Sequence, residues 1–319
     1  MITLAFSTFN GSRTLPSMLE SLTTLTPPQG GWEIIAVDNA STDNSSAIIN
    51  SYKKKLPLKL LHQPKQGKNF ALNLALPYCL GEIIVFTDDD ILASPDLLLG
   101  YERLLTNKLD YTVFGGKIIP HWPDDKPEAI VKTIPLGPAY SLHKEDMHSG
   151  PTDPGMVWGA NMAIRSDVFK KGARFNECIG PSIGSYIMGS ETELNFRLAE
   201  AGHLFWFEDS IVVKHQIRPE QLSHKWLAGR AQRFGRANAF NDHKRRDRSN
   251  MPIVFGAPRW QYRALVEGWL IKILGILSGN EETMLKGLWN SNFYRGAIYE
   301  NRKLSSQRVP PAEKNGGGR

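Results

Sequence analysis

The sequence predicts an α/β protein: a mainly parallel, twisted sheet flanked by helices, followed by a helical C-terminal extension. Three observations carry this. Short apolar runs at 2–6, 32–37, 58–62 and 83–87 alternate with segments whose apolar residues recur at helical spacing. Three of those runs are followed at once by polar residues, so their ends deliver chemistry to one sheet edge. Beyond residue 216 the pattern turns helical, basic and aromatic.

The first strand, Ile2 to Phe6, ends in the turn-rich Ser7-Thr8-Phe9-Asn10-Gly11, and a helix is expected from Leu15-Pro16 to Leu25, with proline in its first turn. The second strand, Trp32 to Val37, runs into Asp38-Asn39-Ala40-Ser41-Thr42-Asp43. The helix after it, at roughly 44–54, ends in Lys53-Lys54-Lys55, where the helix dipole favours cations. A third strand at 58–62, a helix at 67–80 and a fourth strand at 83–87 complete a cadence of βαβ units, which implies parallel pairing. A helix from Asp96 and a strand at 111–117 follow. The stretch 120–156 is rich in Pro, Gly and His without periodicity and reads as a functional loop, part of an acceptor site or lid. A strand at 156–164, a helix at 189–202 with an acidic start and a glycine stop, and strands at 204–207 and 211–213 leading to Lys214-His215 close the pattern.

The fourth strand ends in Asp88-Asp89-Asp90. Three successive carboxylates repel one another, and a hard divalent cation such as Mg²⁺ or Mn²⁺, completed by substrate phosphates, would relieve that repulsion. A solvated acidic turn or a helix cap is the alternative. The chain contains neither GxGxxG nor GxxxxGK[ST], which argues against a dinucleotide fingerprint and a P-loop. Cys79 and Cys178 lie far apart without CxxC spacing, so neither a zinc site nor a disulfide framework is indicated, and a reducing cytoplasm is the simplest setting. The N-terminus opens directly into an apolar strand, and no secretory signal is expected. The net charge of +6 is concentrated between Lys214 and Arg259, a basic field suited to an anionic membrane, a phosphorylated substrate or nucleic acid; it contains no nucleic-acid reading module, so nucleic acid is not expected as a partner.

Together these segments resemble the family 2 glycosyltransferases. The resemblance rests on Phe9-Asn10 with Leu15, on Val37-Asp38-Asn39-Ala40-Ser41-Thr42-Asp43, on Gly67-Lys68-Asn69-Phe70-Ala71-Leu72-Asn73, and on Thr87-Asp88-Asp89-Asp90 as a DxD motif. It continues through Trp158-Gly159-Ala160-Asn161-Met162-Ala163-Ile164-Arg165, through Gly189-Ser190-Glu191-Thr192-Glu193-Leu194 with Arg197-Leu198 and Gly202, and through Val213-Lys214-His215. It implies a GT-A, Rossmann-like fold over residues 1–215 and an inverting transfer of sugar from a nucleoside-diphosphate donor, a UDP-sugar, to a hydroxyl of a glycan or lipid-linked acceptor in cell-envelope polysaccharide synthesis. By resemblance, Asp90, Asp88 and His215 would hold Mn²⁺ or Mg²⁺, and Glu191 would be the catalytic base. Ser7, Phe9 and Asp38 would hold the base and ribose and Lys68 the phosphates; Asp88 and Asp89 would also serve the donor, and Trp158 and Asn161 the acceptor side. The chain departs from the pattern at Ser190-Glu191, where many relatives read Glu-Asp. A nucleotide-sugar-binding module without catalysis and a Mg-dependent nucleotidyltransferase are the competing readings.

Residues 216–304 are expected to form a basic helical region. Within it 260–278 reads as an amphipathic surface helix that either packs on the catalytic domain or touches an anionic membrane. Residues 305–319 read as a disordered tail. The implied location is cytoplasmic, with peripheral attachment to the inner membrane as an option.

Overall fold

A computed structural model of the chain describes residues 1–123, 126–181, 186–245 and 251–306, without the side chains of 244–245. It divides into two compact units, Met1–Lys126 with Leu136–Pro219, and Pro127–Pro135 with Glu220–Arg319.

The first unit is organised on a nine-stranded sheet of order β3-β2-β1-β4-β8-β6-β9-β5, with β7 paired to β9. Strands β1 (Ile2–Thr8), β2 (Trp32–Asp38), β3 (Leu58–His62) and β4 (Ile83–Asp88) pair in parallel. Helices α1 (Leu15–Thr23), α2 (Ser45–Ser51) and α3 (Lys68–Ala75) connect them. Ile34, Ile35, Ala36 and Val37 are all fully buried, as expected of a strand covered on both faces. β5 (Ile91–Ala93), α4 (Leu97–Asn107), β6 (Tyr111–His121), β7 (Gly150–Pro151), β8 (Asn161–Arg165), α7 (Asp167–Lys170), α8 (Ser190–Glu200) and β9 (Leu204–Gln216) complete the unit, with α6 (Leu136–Tyr140); α5 (Glu128–Thr133) belongs to the second unit. A core cluster joins the sheet to α3 and α8; within it Phe86 meets Phe169 and Phe175 edge-on, with centroids 5.6 and 5.2 Å apart.

Several expected elements differ in extent. The two strands expected at 204–207 and 211–213 are one thirteen-residue strand, irregular where Gly116-Lys117 of β6 faces Glu208 and Val212. The strand expected from 156 starts only at Asn161, because Pro154–Met156 form a short 3₁₀ turn whose Gly155 N–H is capped by Asp153 at 2.7 Å, and Asn161 N–H then closes a second turn onto the Trp158 carbonyl at 3.0 Å. The stretch 120–156 holds α5, α6 and β7 in place of a structureless loop, although 124–125 lie outside the described residues.

In the second unit, α9 (His224–Arg245), the hairpin β10 (Ile253–Val254) and β11 (Ala257–Pro258), α10 (Arg259–Leu277) and α11 (Glu281–Ser306) follow in order. The boundary expected after 215 falls at Pro219, and 127–135 joins this unit. Not all its basic residues are solvated: Arg236 is buried against Glu300 at 2.8 Å, a pairing that a charge count does not reveal. Of the expected tail, 307–319 lie outside the described residues.

Candidate active site

The carboxyl ends of β1, β2 and β4 fall at one edge. Register places Thr8 opposite Asp38 and Ser7 opposite Asp88. The two loops beyond β1 and β2 are zipped together: Asn10 N–H donates to Ser41 Oγ (3.0 Å), Thr42 N–H to Asn10 Oδ1 (2.8 Å) and Ser12 N–H to Asp43 Oδ2 (3.0 Å). Burial opposes ionisation of Asp43, but hydrogen bonds from Ser45 and Ser12 prevail and bring it down to about 2. Asp38 is buried and accepts from Ser41 N–H (3.0 Å) and the Ser46 hydroxyl; burial again opposes, yet these bonds keep it below the ordinary aspartate range. Phe9 lies exposed on this rim. The exposed Phe9 thus follows the end of β1, and the fixed Asp38 carboxylate closes β2, the two strand ends being paired at Thr8 and Asp38.

Lys68 is the centre of the site. It opens α3 after Gly67, whose φ of 142° suits glycine, and Asn39 fixes that turn by accepting from Gly67 N–H at 2.7 Å while donating to the carbonyls of Gln63 and Lys65. Lys68 Nζ donates to Asp88 Oδ1 (2.6 Å) and to Glu191 Oε1 (2.5 Å), with the three side chains 17%, 31% and 15% exposed. Burial works against the ammonium, but the two carboxylates outweigh it and raise its pKa. Asp88 is pushed upward, first by burial and further by Asp90 and Glu191, with Lys68 opposing.

Asp90 has a separate set of partners. Pairing of β5 with β9 sets Ile91 opposite His215, and Gln216 N–H donates to the Asp90 carbonyl at 2.8 Å. Asp90 Oδ2 stands 3.4 Å from His215 Nε2 and 3.2 Å from Arg218 Nη1. Burial disfavours its charge, but His215 and Arg218 overcome that and lower it to about 2. Arg218, not expected as a site residue, lies three positions beyond His215 in the basic stretch.

The donor set fits a divalent cation in part. His215 Nδ1 lies 2.6 Å from the Tyr140 carbonyl, so it donates there and directs Nε2 at the Asp90 carboxylate, the orientation a metal-binding imidazole needs. Asp88 is instead turned to Lys68, and among the described residues no three His, Cys, Asp or Glu converge to hold a metal. The structure thus brings Asp90 and His215 together without Asp88. Mg²⁺ or Mn²⁺ sites completed by substrate phosphates need no more than one or two protein carboxylates.

Asp89 points elsewhere. It accepts from the Thr8 hydroxyl, and a Cβ on Gly11 would lie 2.5 Å from its Oδ2, so it locks the first loop instead of facing Lys68. Burial and then the neighbouring Asp90 charge push it from the ordinary 3.8 up to about 7. A raised folded-state pKa means that the contribution of Asp89 to stability is fully present below about 4 and is lost as pH climbs through about 7. Asp89→Asn keeps the acceptor oxygen and removes the charge. In metal-free buffer it is expected to raise stability by on the order of 1 kcal/mol at pH 8 and by almost nothing at pH 4, read from urea melts at both.

Glu191 sits in the first turn of α8, after Gly189 in the left-handed region (φ 93°). The two acidic residues of that turn have different tasks. Glu193 is buried and bonded through both oxygens to Arg197 one turn on, while Glu191 reaches across to Lys68. Ser190, the point of departure from the family pattern, is buried, and its hydroxyl has no partner among the described residues. Gly159 backs Glu191 so closely that a Cβ there would overlap its carboxylate. Gly159→Ala is therefore expected to slow transfer by ~100-fold with the melting temperature nearly unchanged, because an ångström of displacement suffices for such a loss.

Trp158, next in the chain, stacks on His143 (4.3 Å, 13°) and donates Nε1–H to the Gly155 carbonyl at 2.8 Å, which holds its ring in place beside Gly159. Asn161 does not reach the edge. Its amide donates to the carbonyls of Lys117 and Ile211 and accepts from the Tyr101 hydroxyl at 2.7 Å, so it ties β6, β8 and β9 together, and both of its N–H donors are spent.

The fold, with its acidic strand end and facing carboxylate, is that of the GT-A glycosyltransferases. Residues 3–172 match the family described as Glycosyl transferase family 2, and the chain belongs to it. It is similar to a poly(ribitol-phosphate) beta-glucosyltransferase of Bacillus spizizenii, 34% identical over 121 residues, or 37% of this chain and 19% of that protein. It therefore spans only about a fifth of that relative. Glycosyltransferase AglE of Haloferax volcanii is 23% identical over 239 residues, 72% of each chain. Among solved structures, the mannosyltransferase PcManGT of Pyrobaculum calidifontis, in complex with GDP-Man and Mn²⁺, superposes with TM-score 0.57 at 17% identity, covering 96% of this chain and 73% of its own. Residues 1–349 of S. aureus TarS in complex with UDP-GlcNAc give 0.54 at 14% identity, covering 96% and 91%.

Proposed function

We propose that this protein is an inverting glycosyltransferase that moves a sugar from a nucleoside-diphosphate donor, a UDP-sugar, to a hydroxyl of a glycan or lipid-linked acceptor in cell-envelope polysaccharide synthesis, working in contact with an anionic membrane. The observation that carries the reading is Lys68 held between Asp88, at the donor edge, and Glu191, on the opposite wall. One cation spans the place where a diphosphate would leave and a hydroxyl would arrive.

Phe9, Ser7 and Asp38 receive the nucleoside, with Asp38 accepting from the base. Lys68 and Arg218 donate to the diphosphate as it departs, which frees Glu191 from its pairing. Glu191 then accepts the proton of the acceptor hydroxyl as the acceptor oxygen bonds to the anomeric carbon from the face opposite the diphosphate. The anomeric carbon–oxygen bond breaks with its electron pair going to the nucleotide, so configuration inverts and no enzyme nucleophile is required. Mn²⁺ or Mg²⁺, which Asp90 and His215 would hold, would supply Lewis-acid neutralisation of the diphosphate. Trp158 flanks the acceptor side. Support for a nucleotide-sugar donor comes also from the two structural neighbours bound to GDP-Man with Mn²⁺ and to UDP-GlcNAc.

Release of nucleoside diphosphate from a panel of UDP- and GDP-sugars, with Mn²⁺ and with chelator, tests the reading. Metal-dependent release from at least one UDP-sugar is expected. Binding of UDP without turnover of any sugar would favour the non-catalytic module, and pyrophosphate formation from a nucleoside triphosphate and a sugar phosphate would favour the nucleotidyltransferase.

A further inference from the structure

The second unit carries a helix whose sides are reversed relative to a helix in water. The face of α10 that is buried consists of Gln261, Gly268 and Gly275. It meets α11 backbone to backbone: a Cβ on Gly268 would lie 2.7 Å from Ser291 N, and one on Gly275 would overlap Met284 N. The large apolar side chains face outward instead, with Val266, Trp269, Leu270, Leu274, Ile276 and Leu277 between 54% and 80% exposed. A water-facing helix places its large apolar residues inward; small residues at the seam and large ones outside are the pattern of a helix in contact with lipid.

Helical spacing puts Arg259, Arg263, Val266, Leu270, Leu274 and Leu277 on one stripe, basic at its start, where Arg263 also pairs with Glu267 at 2.6 Å, and apolar thereafter. The apolar part runs over roughly 17 Å, about half of a hydrocarbon core, and no described helix is long and apolar enough to cross a membrane. The hairpin before the stripe exposes Phe255 (81%) at its turn. Residues 220–319 hold eighteen lysines and arginines against eight carboxylates, a charge that repels a second copy and attracts anionic headgroups.

We infer that the outer face of α10, with Phe255, is a monotopic docking surface for an anionic phospholipid bilayer, the helix lying in the interface with its aliphatic stripe in the acyl boundary. The proposed function enters only as the reason for visiting a membrane; docking itself is measured without any sugar. The test is flotation of the whole chain with vesicles of phosphatidylcholine alone and with about a third phosphatidylglycerol. Recovery with the anionic vesicles is expected to be roughly tenfold higher than with the neutral ones. Leu270→Glu/Leu274→Glu is expected to reduce it roughly tenfold with unchanged far-ultraviolet circular dichroism. Should that pair lose its fold, Arg259→Glu/Arg263→Glu on the same exposed stripe is the second variant and is expected to float less well than the wild type. Wild-type chain that stays out of the vesicle fraction overturns the inference, as do folded variants that float as the wild type does. So does a wild-type dimer that ignores vesicles and is dissociated by Leu270→Glu/Leu274→Glu, which would make the face a contact between copies.

Discussion

Glu191→Gln is expected to keep UDP affinity within a fewfold of wild type while reducing transfer by roughly 10²–10⁴-fold, the span removed with a general base. The amide preserves size and can still meet Lys68, whose ammonium donates to Glu191 Oε1 at 2.5 Å. What it lacks is the capacity to take a proton from the acceptor. Binding measured by calorimetry and turnover measured by UDP release separate the two effects. Loss of both together would assign Glu191 a structural role at the start of α8.

Asp90→Ala is expected to abolish metal-stimulated turnover, a loss of roughly 10³-fold, the size of several kcal/mol of Lewis-acid stabilisation. It also removes the carboxylate that His215 Nε2 and Arg218 Nη1 face at 3.4 and 3.2 Å. One carboxylate fewer then faces the diphosphate beside Arg218, and the variant is expected to bind UDP in chelator at least as well as the wild type does. Full metal-dependent turnover in Asp90→Ala would remove Asp90 from the proposed metal site. The double comparison, with and without Mn²⁺, distinguishes loss of a ligand from loss of fold.

Much of the sheet was legible because parallel strands buried on both faces leave continuous apolar runs, and the polar residues behind them mark the edge where the strands stop. Asp88, Asp90 and Glu191 could be placed on one cleft by motif order. Their partners could not. Lys68 and Glu191 are 123 positions apart and Arg218 lies 128 from Asp90, and neither pairing leaves a periodicity. Arg218 reads in sequence as one more member of a basic stretch. Asn161 and Asn39 show the same limit from the other side. An asparagine that ties three strands together and one that fixes the turn before Lys68 look like any amide on offer to a ligand, since their hydrogen-bond capacity is the same in both settings. The helix at 260–278 was legible, but not the direction its apolar side faces. That depends on Gly268 and Gly275 meeting α11, a contact no spacing rule encodes. The partnering of 127–135 with the second unit was likewise beyond reach, because 120–156 carries no period from which to place it.

The central claim is a single displacement at one site, with Glu191 as base and no covalent intermediate. The most direct measurement is the anomeric configuration of the first product, read from proton coupling constants by NMR immediately after transfer from an α-linked UDP-sugar. The account predicts a β-linked product. An α-linked product would require two displacements or front-side attack, and would contradict it.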